Sequence, residues 1–119
     1  MIDYLKGNKN ISSQINKIGF DNICVNDVII MELFIGALNK SDLKFIKNKI
    51  KNIAILEINQ EIISLTKDII EHFSLSHGCK INDALIASTS IIYDLELYTA
   101  NIKDFKYIPG VKIFKEWKL

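Results

Sequence analysis

Ile81-Asn82-Asp83-Ala84-Leu85-Ile86-Ala87-Ser88-Thr89, followed by Tyr98-Thr99-Ala100-Asn101-Ile102-Lys103-Asp104-Phe105, is the stretch on which the reading of this chain turns. The first segment opens a strongly apolar helix with a carboxylate in its first turn, where free N–H groups and the helix dipole favour negative charge. Its small residues allow close approach to a sheet, which would draw Asp83 into a cleft. The second segment sets Asp104 in a loop just past a short apolar run of strand type. Either carboxylate alone has an ordinary explanation: Asp83 as a helix cap, Asp104 as a loop residue. Together they define two ends of elements that face the same region.

The pattern continues outward. Residues 82–93 form the most apolar helix, 95–99 a strand, and 111–114 a weaker strand suited to an edge. Upstream, Asn59 caps a helix that runs to about residue 76, with Ile62, Leu65, Ile69, Ile70 and Phe73 on one stripe and Gly78 as its stop. Residues 53–56 and 23–25 are short continuous apolar runs of the kind buried on both faces. Between them lie a helix at 28–38, which Asn26 or Asp27 can cap, and an amphipathic helix at 42–51. The latter turns Leu43, Phe45, Ile46 and Ile50 inward and its lysines outward. Residues 11–18 are a short amphipathic helix, and 1–6 read as the last turns of another, stopped by Gly7. Strands alternating with helices argue for a parallel sheet covered on both faces, a three-layer α/β/α sandwich. Ligands of such folds gather at the carboxyl ends of the strands. Asn26 and the segment from Asn101 to Asp104 fall there.

Composition bounds the answer. The chain has 119 residues, 49% of them hydrophobic, with one Pro and five Gly. That is enough for one domain, 1–119, with a real core and no flexible linker. The net charge is +1, so no global field advertises nucleic acid, and all 15 basic residues are Lys. Phosphate contacts would be point-charge contacts rather than bidentate forks. No apolar run is long enough to span a bilayer and no leader is recognisable, which makes the cytoplasm the expected compartment. Cys24 and Cys79 lack zinc-site spacing and are expected to be reduced. His72 and His77 share a helix without a metalloprotease context and read as surface or packing residues. Ser88 and Thr89 read as small packing residues. No Gly-rich loop cradles a phosphate.

Glu32 stands out because apolar residues surround it in Val28-Ile29-Ile30-Met31-Glu32-Leu33-Phe34-Ile35. A buried carboxylate needs a donor, a cation or a raised pKa. If Glu32 joined Asp83 and Asp104 at the strand ends, three crowded carboxylates would repel one another, and a hard divalent cation resolves that. Mg²⁺ and Mn²⁺ prefer such oxygen donors.

Four segments in order resemble the PIN-domain ribonucleases, nearest to VapC-type toxins. Ile2-Asp3-Tyr4-Leu5-Lys6-Gly7 is similar to the end of that family's opening segment. Met31-Glu32-Leu33 with Gly36-Ala37, then Asp83-Ala84-Leu85-Ile86-Ala87, then Thr99-Ala100-Asn101-Ile102-Lys103-Asp104-Phe105 with Ile108-Pro109-Gly110-Val111 resemble the segments that follow. The resemblance implies a PIN-like α/β/α fold and an endoribonuclease using Mg²⁺ or Mn²⁺. It implies Glu32, Asp83 and Asp104 as catalytic and metal-binding acids, with Asn101 as a polar neighbour. It also implies RNA as substrate, a cognate antitoxin protein as partner, and homodimers among the assemblies. Two departures are visible. Ile29 stands where the family often has Thr, and the family's first strand, ending in Asp-Thr-Asn, would precede Met1. Asp3 matches a helix residue beyond that strand rather than the missing acid.

The resemblance makes that first strand central in the sheet. A central strand buries several side chains at roughly 1.5–3 kcal/mol each, against a net stability of about 5–15 kcal/mol. Met1 is then expected to be an internal methionine of a longer protein; the alternative is a remnant that binds a partner without cutting. The in-frame codons upstream of Met1 discriminate between them. Adding a strand ending in Asp-Thr-Asn is expected to raise the melting temperature and to make expression toxic. An extended protein that melts no higher than the 119-residue chain would refute the missing-strand expectation.

Overall fold

Asn26 ends one element and starts the next, and the fold can be built from it. In the computed structural model, which describes residues 23–114, strand β1 (Cys24–Asn26) leads directly into helix α1 (Asp27–Ile35). Asn26 has extended backbone, and its Oδ1 accepts the Ile29 N–H at 3.0 Å, satisfying one of the helix's unpaired donors. Helix α2 (Lys40–Ile50) follows, capped in the same way by Asn39 through the Asp42 N–H at 2.8 Å. Strand β2 (Ala54–Leu56) then leads to helix α3 (Gln60–His77), capped by Asn59, and helix α4 (Ile81–Ile92). Strand β3 (Glu96–Leu97), a 3₁₀ turn (Ile102–Asp104) and strand β4 (Lys112–Ile113) complete the described residues.

The alternation and the parallel pairing agree with the sequence reading. β1 pairs with β2 in parallel, Val25 opposite Ile55, and β3 pairs with β4 in parallel, Leu97 opposite Ile113. Among the described residues the expected sheet is represented by these two pairs. The readings for residues 1–6 and 11–18, and for a strand before Met1, lie outside the described residues.

Some boundaries differ, each for a local reason. α1 stops at Ile35 rather than 38, because the Gly36 N–H already closes the helix on Glu32 and Phe34. Asn39, the next available cap, then starts α2 earlier than expected. Phe45, expected inside, is 60% exposed and lies under the Lys49 ammonium, 5.4 Å from the ring centre. Only Ile50 of α2 is fully buried, so this helix touches the core mainly at its end.

The core gathers Val25, Ile29, Leu33, Ile69, Ile86, Leu97 and Phe105. α3 and α4 make the most extensive helix contact among the described residues. Small buried residues of α4 permit it: Ala84, Ala87, Ser88 and Ser90 are at most 1% exposed. The Ser88 and Thr66 hydroxyls meet across this contact at 3.0 Å. A second polar tie crosses from β1 to α4, where Asn26 Nδ2 donates to Thr89 Oγ1 at 2.9 Å and Thr89 donates on to the Leu85 carbonyl at 2.7 Å. Ser88 and Thr89 are therefore cross-element ties rather than mere fillers. No helix among the described residues is long and apolar enough to cross a membrane.

Both amide groups of Asn26 are used in a fully buried site. Thr89→Val should strand a buried donor and cost about 1–3 kcal/mol, while Asn26→Ala should cost about 2–3 kcal/mol through the added loss of the cap. In urea unfolding the double variant should lose less than the sum, since both changes remove one shared bond.

Candidate active site

The Gly78 turn carries the chain from α3 into the site. Gly78 adopts a left-handed backbone, φ 64°, with its own N–H bonded to the Ser74 carbonyl and that of Cys79 to the Phe73 carbonyl. This reversal places His77, Gly78, Cys79 and Lys80 along one wall of a cavity of about 140 Å³. The start of α4 supplies Asn82 and Asp83, and the loop after β3 supplies Asp104 and Tyr107.

Asp83 and Asp104, 21 positions apart in sequence, thus come together on one cavity. Asp83 is 7% exposed and lies in the first turn of α4; Lys80 holds the cap position and makes no side-chain cap bond. Glu32 is not part of the cavity lining. It joins the site through Asn82, whose Nδ2 donates to Glu32 Oε2 at 2.6 Å. The other carboxylate oxygen, Oε1, is buried and has no hydrogen-bond partner among the described residues. The donor that the sequence demanded for this acid is therefore found for one oxygen only. Asn101 opens the 3₁₀ turn, with its backbone N–H bonded to Thr99 Oγ1 at 2.9 Å and its carbonyl to the Asp104 N–H at 3.0 Å. It shapes the turn that presents Asp104 and does not line the cavity.

Tyr107 senses both acids. Burial pushes its hydroxyl well above the ordinary tyrosine range, and a hydrogen bond to the Cys79 side chain and the negative charges of Asp83 and Asp104 push the same way. The hydroxyl stays a neutral donor at any physiological pH. Both cysteines are free thiols.

The donors fit a hard cation in kind: the carboxylates of Asp83 and Asp104 share one cavity, and Glu32 is tied to that cavity through Asn82. They fall short in number, since no group of three His, Cys, Asp or Glu residues among the described residues is placed to hold a metal ion.

The matching family model is that of the PIN domain, over residues 2–111. The chain belongs to the PIN-domain family. Among solved structures, a toxin–antitoxin complex from Klebsiella pneumoniae is similar at 25% identity and a TM-score of 0.70, covering 95% of this chain and 88% of that one. DNA-bound VapBC from Salmonella typhimurium shares the fold at 22% identity and a TM-score of 0.71, covering 92% and 86%. VapBC2 from Rickettsia felis, bound to a promoter fragment, does so at 24% and 0.69, covering 90% and 87%. No curated protein matches the chain in sequence.

Asn82, Lys80 and Tyr107 were not singled out from the sequence. Asn82 had a signal, a short amide donor just before the helix-start acid; Tyr107 lies three residues after Asp104, on the same turn. Gly78→Ala meets no atom within 4 Å, so its cost is conformational. It should lower stability by about 1–2 kcal/mol in chemical unfolding, and Gly78→Asn, which tolerates the left-handed region, should lose less.

Proposed function

We propose that this PIN domain is the toxin of a toxin–antitoxin pair and an endoribonuclease dependent on Mg²⁺ or Mn²⁺, acting inside the cell. The observation that carries the reading is the shared cavity of Asp83 and Asp104, with Glu32 held beside it by Asn82. Asp83 and Asp104 would hold the cation, with Glu32 as the third acid. A divalent ion bound there supplies charge neutralisation at a phosphate and lowers the pKa of bound water.

The chain's own groups have separable tasks. Lys80 lines the same cavity and offers a positive charge to a phosphate. The Tyr107 hydroxyl, kept protonated, offers a hydrogen bond rather than a proton sink. Asn82 fixes the orientation of Glu32. The structural relatives crystallised with antitoxins support a protein antitoxin as partner, and homodimers belong to the same proposal.

One observation favours a second reading, a PIN module that binds its partner without cutting: the absence of a three-donor group among the described residues. Mn²⁺ titration calorimetry and RNA cleavage separate the two. The 119-residue chain should bind Mn²⁺ weakly and cut RNA slowly, and Asp83→Asn or Asp104→Asn should abolish what remains. Asn82→Ala should lower the rate by about 10- to 100-fold, the usual cost of losing a group that orients a ligand. Cleavage indifferent to Asp83→Asn would overturn the nuclease assignment.

A further inference from the structure

His77 and Tyr107, both lining the acid cavity, stack face to face with ring centres 4.1 Å apart and planes 12° from parallel. Phe73 stands steeply to both, 5.5 Å from His77 and 5.2 Å from Tyr107. These two distances locate it. A ring covering the outer face of His77 would lie at least about 8 Å from Tyr107, two ring spacings away. Phe73 is nearly equidistant, so it packs beside the stack and does not cover the outer face of His77; among the described residues no other ring stacks there. His77 is exposed, Tyr107 half-buried. The Ser76 hydroxyl, 2.7 Å from His77 Nδ1, holds the imidazole in place.

The cavity's size says what such a face is for. Pockets that enclose a whole small molecule run to about 300–1,000 Å³. At about 140 Å³ this one accommodates a phosphate and water, and a nucleotide's base must lie outside it. The nearest flat surface is the His77 ring, backed by Tyr107 and buttressed by Phe73. We infer that the His77–Tyr107 stack is a base platform: an unstacked base of single-stranded RNA lies on the outer face of His77 while the adjoining phosphate enters the Asp83–Asp104 cavity. The inference rests on the RNA reading of that cavity and adds to it the place of the base that adjoins the bound phosphate. Stacking of this kind tolerates sequence and requires an unpaired base.

The test uses the whole chain with Ca²⁺, a hard divalent ion that takes oxygen donors, and reads binding rather than turnover. A short fluorescein-labelled oligoadenylate and an abasic strand of equal length are titrated by anisotropy. Oligoadenylate should bind more tightly than the abasic strand. His77→Ala should weaken oligoadenylate by roughly 5- to 100-fold and leave the abasic strand unchanged, and His77→Phe should restore binding. The inference is overturned if the two strands bind the unaltered protein equally. It is also overturned if His77→Ala has no effect or weakens both strands alike, or if His77→Phe fails to rescue. Melting temperatures within a few degrees across the set exclude a folding defect, and His77→Phe keeps the test decisive if the alanine variant melts early. His77-dependent binding without metal-dependent cleavage would sustain the platform and sink the nuclease. Cleavage without His77-dependent binding would do the reverse.

Discussion

The link between Glu32 and the acid cavity depends on where α1 sits against α4, and one buried amide ties those two helices together. Asn26 has no exposed surface, and its side chain faces two helices at once: Oδ1 closes the first turn of α1, and Nδ2 reaches Thr89 in the middle of α4. A buried amide left unbonded costs several kcal/mol, so competing placements of the two helices that break either bond are strongly disfavoured. Hydrophobic contact between Ile29, Leu33 and Ile86 pulls the helices together but has no preferred register. The amide supplies the register.

The same constraint reaches the acids. Glu32 lies on α1 and Asn82 at the start of α4, and their 2.6 Å bond spans the same pair of helices that Asn26 ties together. The bond resolves half of the problem that a carboxylate among apolar residues creates. The other oxygen, Oε1, is buried without a hydrogen-bond partner among the described residues, and Asn82, the partner of Oε2, lines the cavity where Asp83 and Asp104 meet. Concentrating negative charge in this way favours a cation or a positively charged partner group, and the high-lying Tyr107 hydroxyl registers the same field.

Aromatic packing and acid chemistry meet at the Gly78 turn. A left-handed residue at the end of α3 redirects the chain so that His77 can stack on Tyr107 while Cys79 turns inward and Lys80 lines the cavity. The cavity lining thus combines two stacked rings, a lysine and two carboxylates, so that aromatic surface and charge of both signs meet in one small space.

Much of this was legible in the order of residues. Apolar runs alternating with helical stripes specify parallel strands and covering helices, because each pattern can bury its apolar side in only one kind of element. Asn, Gly and Asp at element ends are local signals, so Asn26, Asn59 and Gly78 were readable as punctuation. Glu32 stood out because apolar residues surround it, whereas Asp83 and Asp104, each ordinary alone, were named with it as a set through the resemblance of their segments to the PIN family. The partners could not be named. That Asn82 holds Glu32, that Asn26 reaches Thr89 and that His77 lies flat on Tyr107 are contacts between residues 30 to 63 positions apart. No local pattern encodes such pairs; they exist only once packing has fixed the helices against one another. The sequence by itself determined which residues are costly to bury, and the tertiary structure decided which neighbours meet that cost, because compensation depends on distances of a few ångströms that periodicity does not contain.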